Sequence, residues 1–152
     1  FGTRAALVRL NYAIDMRYGV LYDIASKIIN DGTADLTVPD FNAIWQGDAT
    51  DQILRVLEHC DSPPFIINVT GPEQVSTREA ALKLAELMGV DVDLQESTNK
   101  LALLSNSSIA CALFGNPRIS MDTLIRWTAH WVKNGGSSLG KPTHFEVKDG
   151  KY

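Results

Sequence analysis

Two short apolar runs constrain the fold of this chain more than any other feature. Residues 6–10 (ALVRL) and 65–69 (FIINV) are mainly apolar and are followed by turn residues, which is typical of β-strands. Continuous apolar strands of this kind are expected to be buried on both faces of a parallel sheet. Two strands do not form such a sheet alone, so we expect a sheet that is incomplete without further strands.

The rest of the chain alternates between helical and extended patterns. Helices are predicted at residues 15–29, 48–60, 76–88, 106–114 and 120–134, and further short strands at 36–38, 90–94 and 143–147. This order predicts an α/β protein that is rich in helix and has only a few short strands. Because Gly135 and Gly136 end the last helix, we expect one folded part at residues 1–136 and a polar tail at 137–152.

Composition narrows the possible partners. The chain of 152 residues carries 14 Lys and Arg against 18 Asp and Glu, a net charge of -4. This acidic balance argues against a nucleic-acid or anionic-membrane partner, since phosphate binding needs a surplus of cations on one face. The sequence shows no apolar run long enough to cross a bilayer and no signal peptide, so we expect a cytoplasmic protein without a membrane partner.

The residues offer few signs of catalytic chemistry. Residues 135–141 are rich in glycine, but they follow a predicted helix and lack the helix N-terminus that attracts phosphate. Asp48 and Asp51 are interpreted either as charges that stabilise a helix start or as a carboxylate pair in a cleft. Trp127 and Trp131 lie one helical turn apart, which favours packing or, alternatively, a platform on which a sugar or base stacks. His and Cys spacing predicts no metal site.

Seven motifs occur in an order that is shared with a known family. They are RLNY at 9–12, RYG at 17–19, GDA at 47–49, FIINVTG at 65–71, STREA at 76–80, SNSSIA at 105–110 and FGNP at 114–117. In order and spacing they resemble the C-terminal half of the extended short-chain dehydrogenases, the NAD-dependent epimerase/dehydratase family, over residues 6–134. The resemblance implies an incomplete Rossmann-like fragment that forms the helix-rich, substrate-binding C-terminal part.

The resemblance also suggests four substrate-binding residues. Asn11 and Tyr12 follow the first strand, where the family places an Asn that contacts substrate and backbone that approaches the nicotinamide; a strand-end turn is the alternative for Asn11. Asp48 matches an Asp that heads the helix after the substrate loop, with a structural or a functional role. Arg17 is a candidate for binding an anionic group, with an ion pair as the alternative.

The same family implies which parts are missing. Members bind NAD or NADP through a glycine-rich turn and transfer protons with a Tyr-x-x-x-Lys pair, and no Tyr of this chain has Lys four residues later. No catalytic residue, metal or cofactor is therefore expected in this chain alone. The intact protein is expected to be an NAD(P)-dependent epimerase, dehydratase or reductase for a nucleotide sugar or related small molecule. We also expect a homo-oligomer or self-association through exposed strand edges; the alternative is a stand-alone binding or oligomerisation module without catalysis.

Overall fold

A computed structural model describes residues 2–96, 102–141, 143 and 145. In order along the chain, its elements are β1 (Ala6–Leu10), β2 (Ala13–Ile14), α1 (Val20–Asp31), β3 (Thr33–Asp35), β4 (Asp40–Phe41), β5 (Ile44–Trp45), α2 (Gln46–Val56) with a 3-10 turn (Leu57–His59), β6 (Phe65–Val69), β7 (Val75–Ser76), α3 (Thr77–Met88), β8 (Asp93–Gln95), α4 (Ser108–Phe114) and α5 (Met121–Lys133). The strands form parallel pairs β1–β6, β2–β5 and β3–β8 and the antiparallel pair β4–β7. The α/β class expected from the sequence is confirmed.

Three helices, α1, α3 and α5, pack together around the main core. Leu21 and Leu84 are fully buried there, and Leu124 is nearly so. Asp122 on α5 pairs with Lys83 on α3 and with Arg126 one turn later in its own helix. Hydrogen bonds from Arg126 and Lys83 hold the pKa of Asp122 below its usual value. An ion pair therefore joins α3 to α5 at the surface, in addition to their apolar contact.

The β1–β6 pair forms a second, smaller layer. Val8 and Ile67 are neighbours in register, and their side of the pair packs against Val56 of α2 and Ala110 of α4. Leu7 and Ile66 are also paired, but they are 53% and 45% exposed. The expectation that both strands are buried on both faces is therefore wrong, because only one face of the pair is covered by helices of the described chain.

Several predicted element boundaries shift. The first helix begins at Val20 rather than Asp15, because Asp15 and Tyr18 form a turn and Gly19 (φ 109°) precedes the helix. The strand expected at 36–38 lies at Thr33–Asp35, since Asp35 accepts a hydrogen bond from the Thr37 N–H and bends the chain there.

Other boundaries move by a few residues or fall outside the description. The helix predicted at 48–60 runs over Gln46–Val56, the one at 106–114 over Ser108–Phe114, and the strand at 90–94 over Asp93–Gln95. The strand expected at 143–147 lies mostly outside the described residues, of which 143 and 145 are not in a strand.

Candidate functional site

Two asparagine side chains meet where β1 ends. Asn11 follows β1, and its Nδ2 donates to the side-chain oxygen Oδ1 of Asn42 at 2.8 Å. Asn42 follows β4 and is only 4% exposed. The backbone N–H of Asn11 donates to the carbonyl oxygen of Val69 at 3.1 Å, which fixes Asn11 beside the end of β6. The carboxyl ends of the two parallel strands therefore converge on one amide pair.

The Asn42 amide is fully used in hydrogen bonds. Its Nδ2 donates to the carbonyl oxygens of Gly71 (3.0 Å) and Ser105 (2.7 Å), and its Oδ1 also accepts from the Ser105 N–H at 3.1 Å. With the bond from Asn11, both donors and both acceptor positions of the amide are occupied. Asn42 thus joins three separate segments of the chain at one point.

Two cavities lie beside this junction. One of about 350 Å³ is lined only by uncharged residues: Asn42, Pro72, Gln74, Leu104, Ser105 and Asn106. A second of about 220 Å³ lies between Gly71–Glu73 and the segment 116–121 that leads into α5. Gly71 is required here, because a Cβ on it would overlap the carbonyl oxygen of Ala43. The residues that line the first cavity include amide and hydroxyl side chains and no charged group.

Tyr12 adopts an unusual backbone conformation next to Asn11. Its φ of 42° lies in the left-handed region, which is uncommon for a bulky side chain. Its carbonyl oxygen accepts from the Ile44 N–H, and its ring helps to line a cavity of about 220 Å³ with Leu10 and Tyr18. The first two predicted site residues, Asn11 and Tyr12, are thus adjacent and face different surroundings.

Arg17 is held in an ion pair with Asp15. The guanidinium donates to both carboxylate oxygens, at 3.3 Å from Nε and 2.8 Å from Nη2, and the Arg17 backbone N–H donates at 2.6 Å. The side-chain hydrogen bond from Arg17 holds the pKa of Asp15 below its usual value, although burial opposes this effect. The ion pair, which was the alternative interpretation of Arg17, is present.

Asp48 is buried in the first turn of α2 and is 9% exposed. Its Oδ2 accepts from the backbone N–H of Ile119 at 3.0 Å, so it ties α2 to the segment before α5. Asp51, in contrast, pairs at the surface with Arg55 (3.5 Å) and lies 4.0 Å from Arg118. The two carboxylates therefore contact different partners.

The tryptophans predicted as a possible stacking platform are used in packing. Trp127 meets Trp45 edge to face, with ring centroids 5.7 Å apart. Trp131 donates from Nε1 to the carbonyl oxygen of Ser137 at 3.1 Å, and its ring lies against Gly136. The packing interpretation fits both contacts.

Sequence reasoning named Asn11 but missed Asn42, on which Asn11 depends. The available signal was a lone amide inside the apolar stretch FNAIW at 41–45. A polar residue in such a stretch is expected to be buried and hydrogen-bonded. Substrate binding by Asn11, Tyr12, Arg17 and Asp48 stays a prediction.

Gly19, the glycine before α1, is used for packing, because a Cβ there would overlap the side chain of Ile14. Residues 2–96, 102–141, 143 and 145 contain no group of three His, Cys, Asp or Glu placed to bind a metal. Over the same part of the chain no helix is long and apolar enough to cross a membrane.

Comparisons with solved structures define the fold class. A UDP-galactose 4-epimerase matches with a TM-score of 0.67 at 19% identity, over 87% of this chain and 46% of that one. A UDP-glucuronic acid 4-epimerase from Bacillus cereus, in complex with NAD, matches with a TM-score of 0.65 at 13% identity, over 95% and 46%. A GDP-mannoheptose C4 reductase from Campylobacter jejuni, with NADP bound, gives 0.64 at 16% identity, over 86% and 50%.

The chain therefore has the fold of part of an NAD-dependent epimerase/dehydratase, a partial Rossmann-like fold. It spans about half the length of the solved structures that it matches. No family model and no curated protein matches it. The resemblance drawn from the motif order is confirmed at the level of the fold.

Proposed function

We propose that this chain is the substrate-binding C-terminal part of an NAD(P)-dependent epimerase, dehydratase or reductase. In the intact protein it acts on a nucleotide sugar or a related carbonyl or hydroxyl compound. The observation that carries this proposal is the position of the Asn11–Asn42 pair at the carboxyl ends of β1 and β6. In open parallel sheets, ligands bind at that edge.

The uncovered face of β1–β6 supports the proposal that a second half of the intact protein packs against this chain. Leu7 and Ile66 expose apolar side chains side by side on this face. Burying such side chains against another layer is favourable by about 25 cal/mol per Å² of apolar surface. We infer that helices of a dinucleotide-binding half cover this face and that this other half holds the cofactor.

Within this arrangement, Asn11 is the chain's contact with the substrate. Asn42 holds the Asn11 amide, and the uncharged cavity beside it receives hydroxyl or carbonyl groups. Arg17 serves an anionic group only in competition with Asp15, which already accepts three of its hydrogen bonds. Asp48 supports the site through the backbone of Ile119.

The proposal is tested by ligand titration of the full chain, followed in ¹H–¹⁵N spectra. UDP-galactose is expected to shift the signals of Asn11, Ser105 and Asn106, and Asn11→Ala to remove those shifts. Asn30→Ala, at an exposed position of α1, is the matched control and leaves them in place. Calorimetry with NAD and NADP is expected to show no binding to this chain. Tight binding of either would contradict the proposal that the other half of the intact protein holds the cofactor.

A second candidate function is a stand-alone binding or oligomerisation module. The exposed pair Leu7 and Ile66 favours it equally, because the same face could be covered by a second copy. If UDP-galactose causes no shifts and the chain forms a stable dimer, this second function is favoured over the first.

A further inference from the structure

The residues after α5 return to the beginning of the fold. Gly135 (φ 71°) reverses the chain, and the Trp131 indole fixes Ser137 by a hydrogen bond. The Leu139 N–H then donates to the carbonyl oxygen of Arg17 at 3.1 Å, and the Thr143 hydroxyl donates to the Asp23 carboxylate in the first turn of α1. We call residues 137–141, 143 and 145 the strap.

The strap places one aromatic ring inside the core. Phe145 is 4% exposed and meets two other rings edge to face. The centroid of its ring lies 5.8 Å from that of Tyr12, at an interplanar angle of 76°, and 5.7 Å from that of Phe41, at 84°. Such edge-to-face pairs are directional, so they restrain ring positions more than apolar contact alone.

Both rings that Phe145 contacts are next in sequence to the site. Tyr12 directly follows Asn11, and Phe41 directly precedes Asn42. Asn11 and Asn42 are themselves joined by the 2.8 Å hydrogen bond. Phe145 thus bridges the two backbone segments whose amides form the pair.

The backbone of Tyr12 needs such support. A left-handed φ at a bulky residue persists only where the surrounding structure holds it in place. On its other side, the Tyr12 carbonyl oxygen is fixed by the Ile44 N–H at 3.0 Å. The ring of Phe145 contacts the rings of both Tyr12 and Phe41.

We propose that Phe145 is a positioning residue that sets the Asn11–Asn42 contact through Tyr12 and Phe41. The strap therefore belongs to the site, although it is the last part of the described chain and is polar in sequence. The statement that the Asn11–Asn42 contact serves substrate binding rests on the proposed function. The positioning of this contact by Phe145 does not depend on that function.

The test uses the full chain and its Phe145→Ala variant, without any ligand. In ¹H–¹⁵N spectra, the variant is expected to shift the side-chain amide signals of Asn11 and Asn42. Hydrogen exchange of the Ile44 amide, which reports on its bond to Tyr12, is expected to accelerate about tenfold. The Leu84 amide, which lies in the same apolar cluster as Phe145, is expected to accelerate less than the Ile44 amide.

Three further variants separate positioning from general stability. Phe145→Tyr keeps the ring and is expected to restore both readouts, whereas Phe145→Leu fills the space without a ring and restores only part. Leu139→Ala changes an exposed side chain of the same strap and is the matched control.

Two results would overturn the inference. One is unchanged Asn11 and Asn42 signals in Phe145→Ala; the other is equal acceleration of the Ile44 and Leu84 amides, which would indicate a purely global effect. If Phe145→Ala does not fold, Phe145→Leu and Thr143→Val, which removes the bond to Asp23, are expected to give smaller shifts of the same signals. Because no ligand is used, failure here is distinct from failure of the proposed function.

Discussion

The helical core and the β1–β6 pair bury their apolar side chains to different extents. In the α1–α3–α5 core, Leu84 is 0% exposed and is enclosed by neighbouring helices. In the sheet layer, Leu7 is 53% exposed although it lies within β1 and is paired with Ile66. Both are leucines in regular secondary structure, so the difference reflects what covers them and not their local sequence.

This difference shows which part of the fold covers its own apolar side chains. The helices bury their apolar faces against one another, whereas the β1–β6 pair has helices α2 and α4 on one face only. A parallel pair is stable chiefly when both faces are covered. The sheet layer thus keeps one apolar face uncovered in the described part of the chain, and the candidate site lies at its edge.

The largest effect is expected from the same substitution made in each region. Leu84→Ala leaves a cavity in the closed core and is expected to lower the free energy of unfolding by about 3 kcal/mol. Leu7→Ala removes an exposed side chain and is expected to change it by less than about 0.5 kcal/mol. Urea denaturation of both variants measures the contrast; equal losses would mean that β1 is covered in solution.

A somewhat smaller loss is expected where the two regions join, at Asn42. Asn42→Ala leaves the Gly71 and Ser105 carbonyls and the Asn11 amide without their partner, and is expected to cost about 2 kcal/mol. Asn30→Ala, on the exposed side of α1, is expected to change stability by less than about 0.5 kcal/mol. A neutral Asn42→Ala would show that water replaces these hydrogen bonds and that the junction is loose.

Features set by neighbouring residues were predictable from sequence. The helix predicted at 76–88 is α3 at Thr77–Met88, and its cap is local, since the Ser76 hydroxyl accepts from the Glu79 N–H at 3.4 Å. The positions of β1 and β6 were predicted to the residue, because short apolar runs bounded by turn residues define strands locally.

Features that depend on distant residues were not predictable. Asn42 has partners 29, 31 and 63 positions away along the chain, and no local pattern encodes them. The start of α1 was misplaced because residues 15–18 form a turn, closed by Asp15 and Tyr18 and held by the Asp15–Arg17 contact, before the helix begins at Val20. The exposed face of β1–β6 was predicted as buried because the sequence of a strand does not state what covers it.

The third prediction concerns association through the open face. Since apolar side chains of Leu7 and Ile66 lie together there, the chain is expected to self-associate in sedimentation experiments at high concentration. The double variant Leu7→Glu and Ile66→Glu is expected to remain monomeric. Leu54→Glu, at an exposed position of α2, is the control and retains association. A wild-type chain that stays monomeric at all concentrations would remove the evidence for an open apolar face.

The smallest effect is expected in the segment that connects β2 to the helical core, where Asp15 pairs with Arg17. The pKa of Asp15 is lowered from 3.8 chiefly by the Arg17 side chain, so the folded state binds this proton less readily than the unfolded state. The stabilisation is therefore complete above about pH 4 and is lost as pH falls through the lowered pKa.

Asp15→Asn isolates the ionic part of this contact, because the amide oxygen still accepts from the Arg17 N–H. The difference in unfolding free energy between wild type and Asp15→Asn is expected to be positive near about pH 6 and to shrink toward about pH 3. Because the Arg17 side chain is 46% exposed, added salt is expected to reduce the difference at the higher pH. Arg17→Lys keeps the positive charge but loses the two-point contact of the guanidinium with the carboxylate. This variant is expected to retain only part of the stabilisation that the ion pair gives. A difference that grows on acidification would mean that Asp15 is stabilised in its protonated form and that burial, rather than Arg17, dominates its environment.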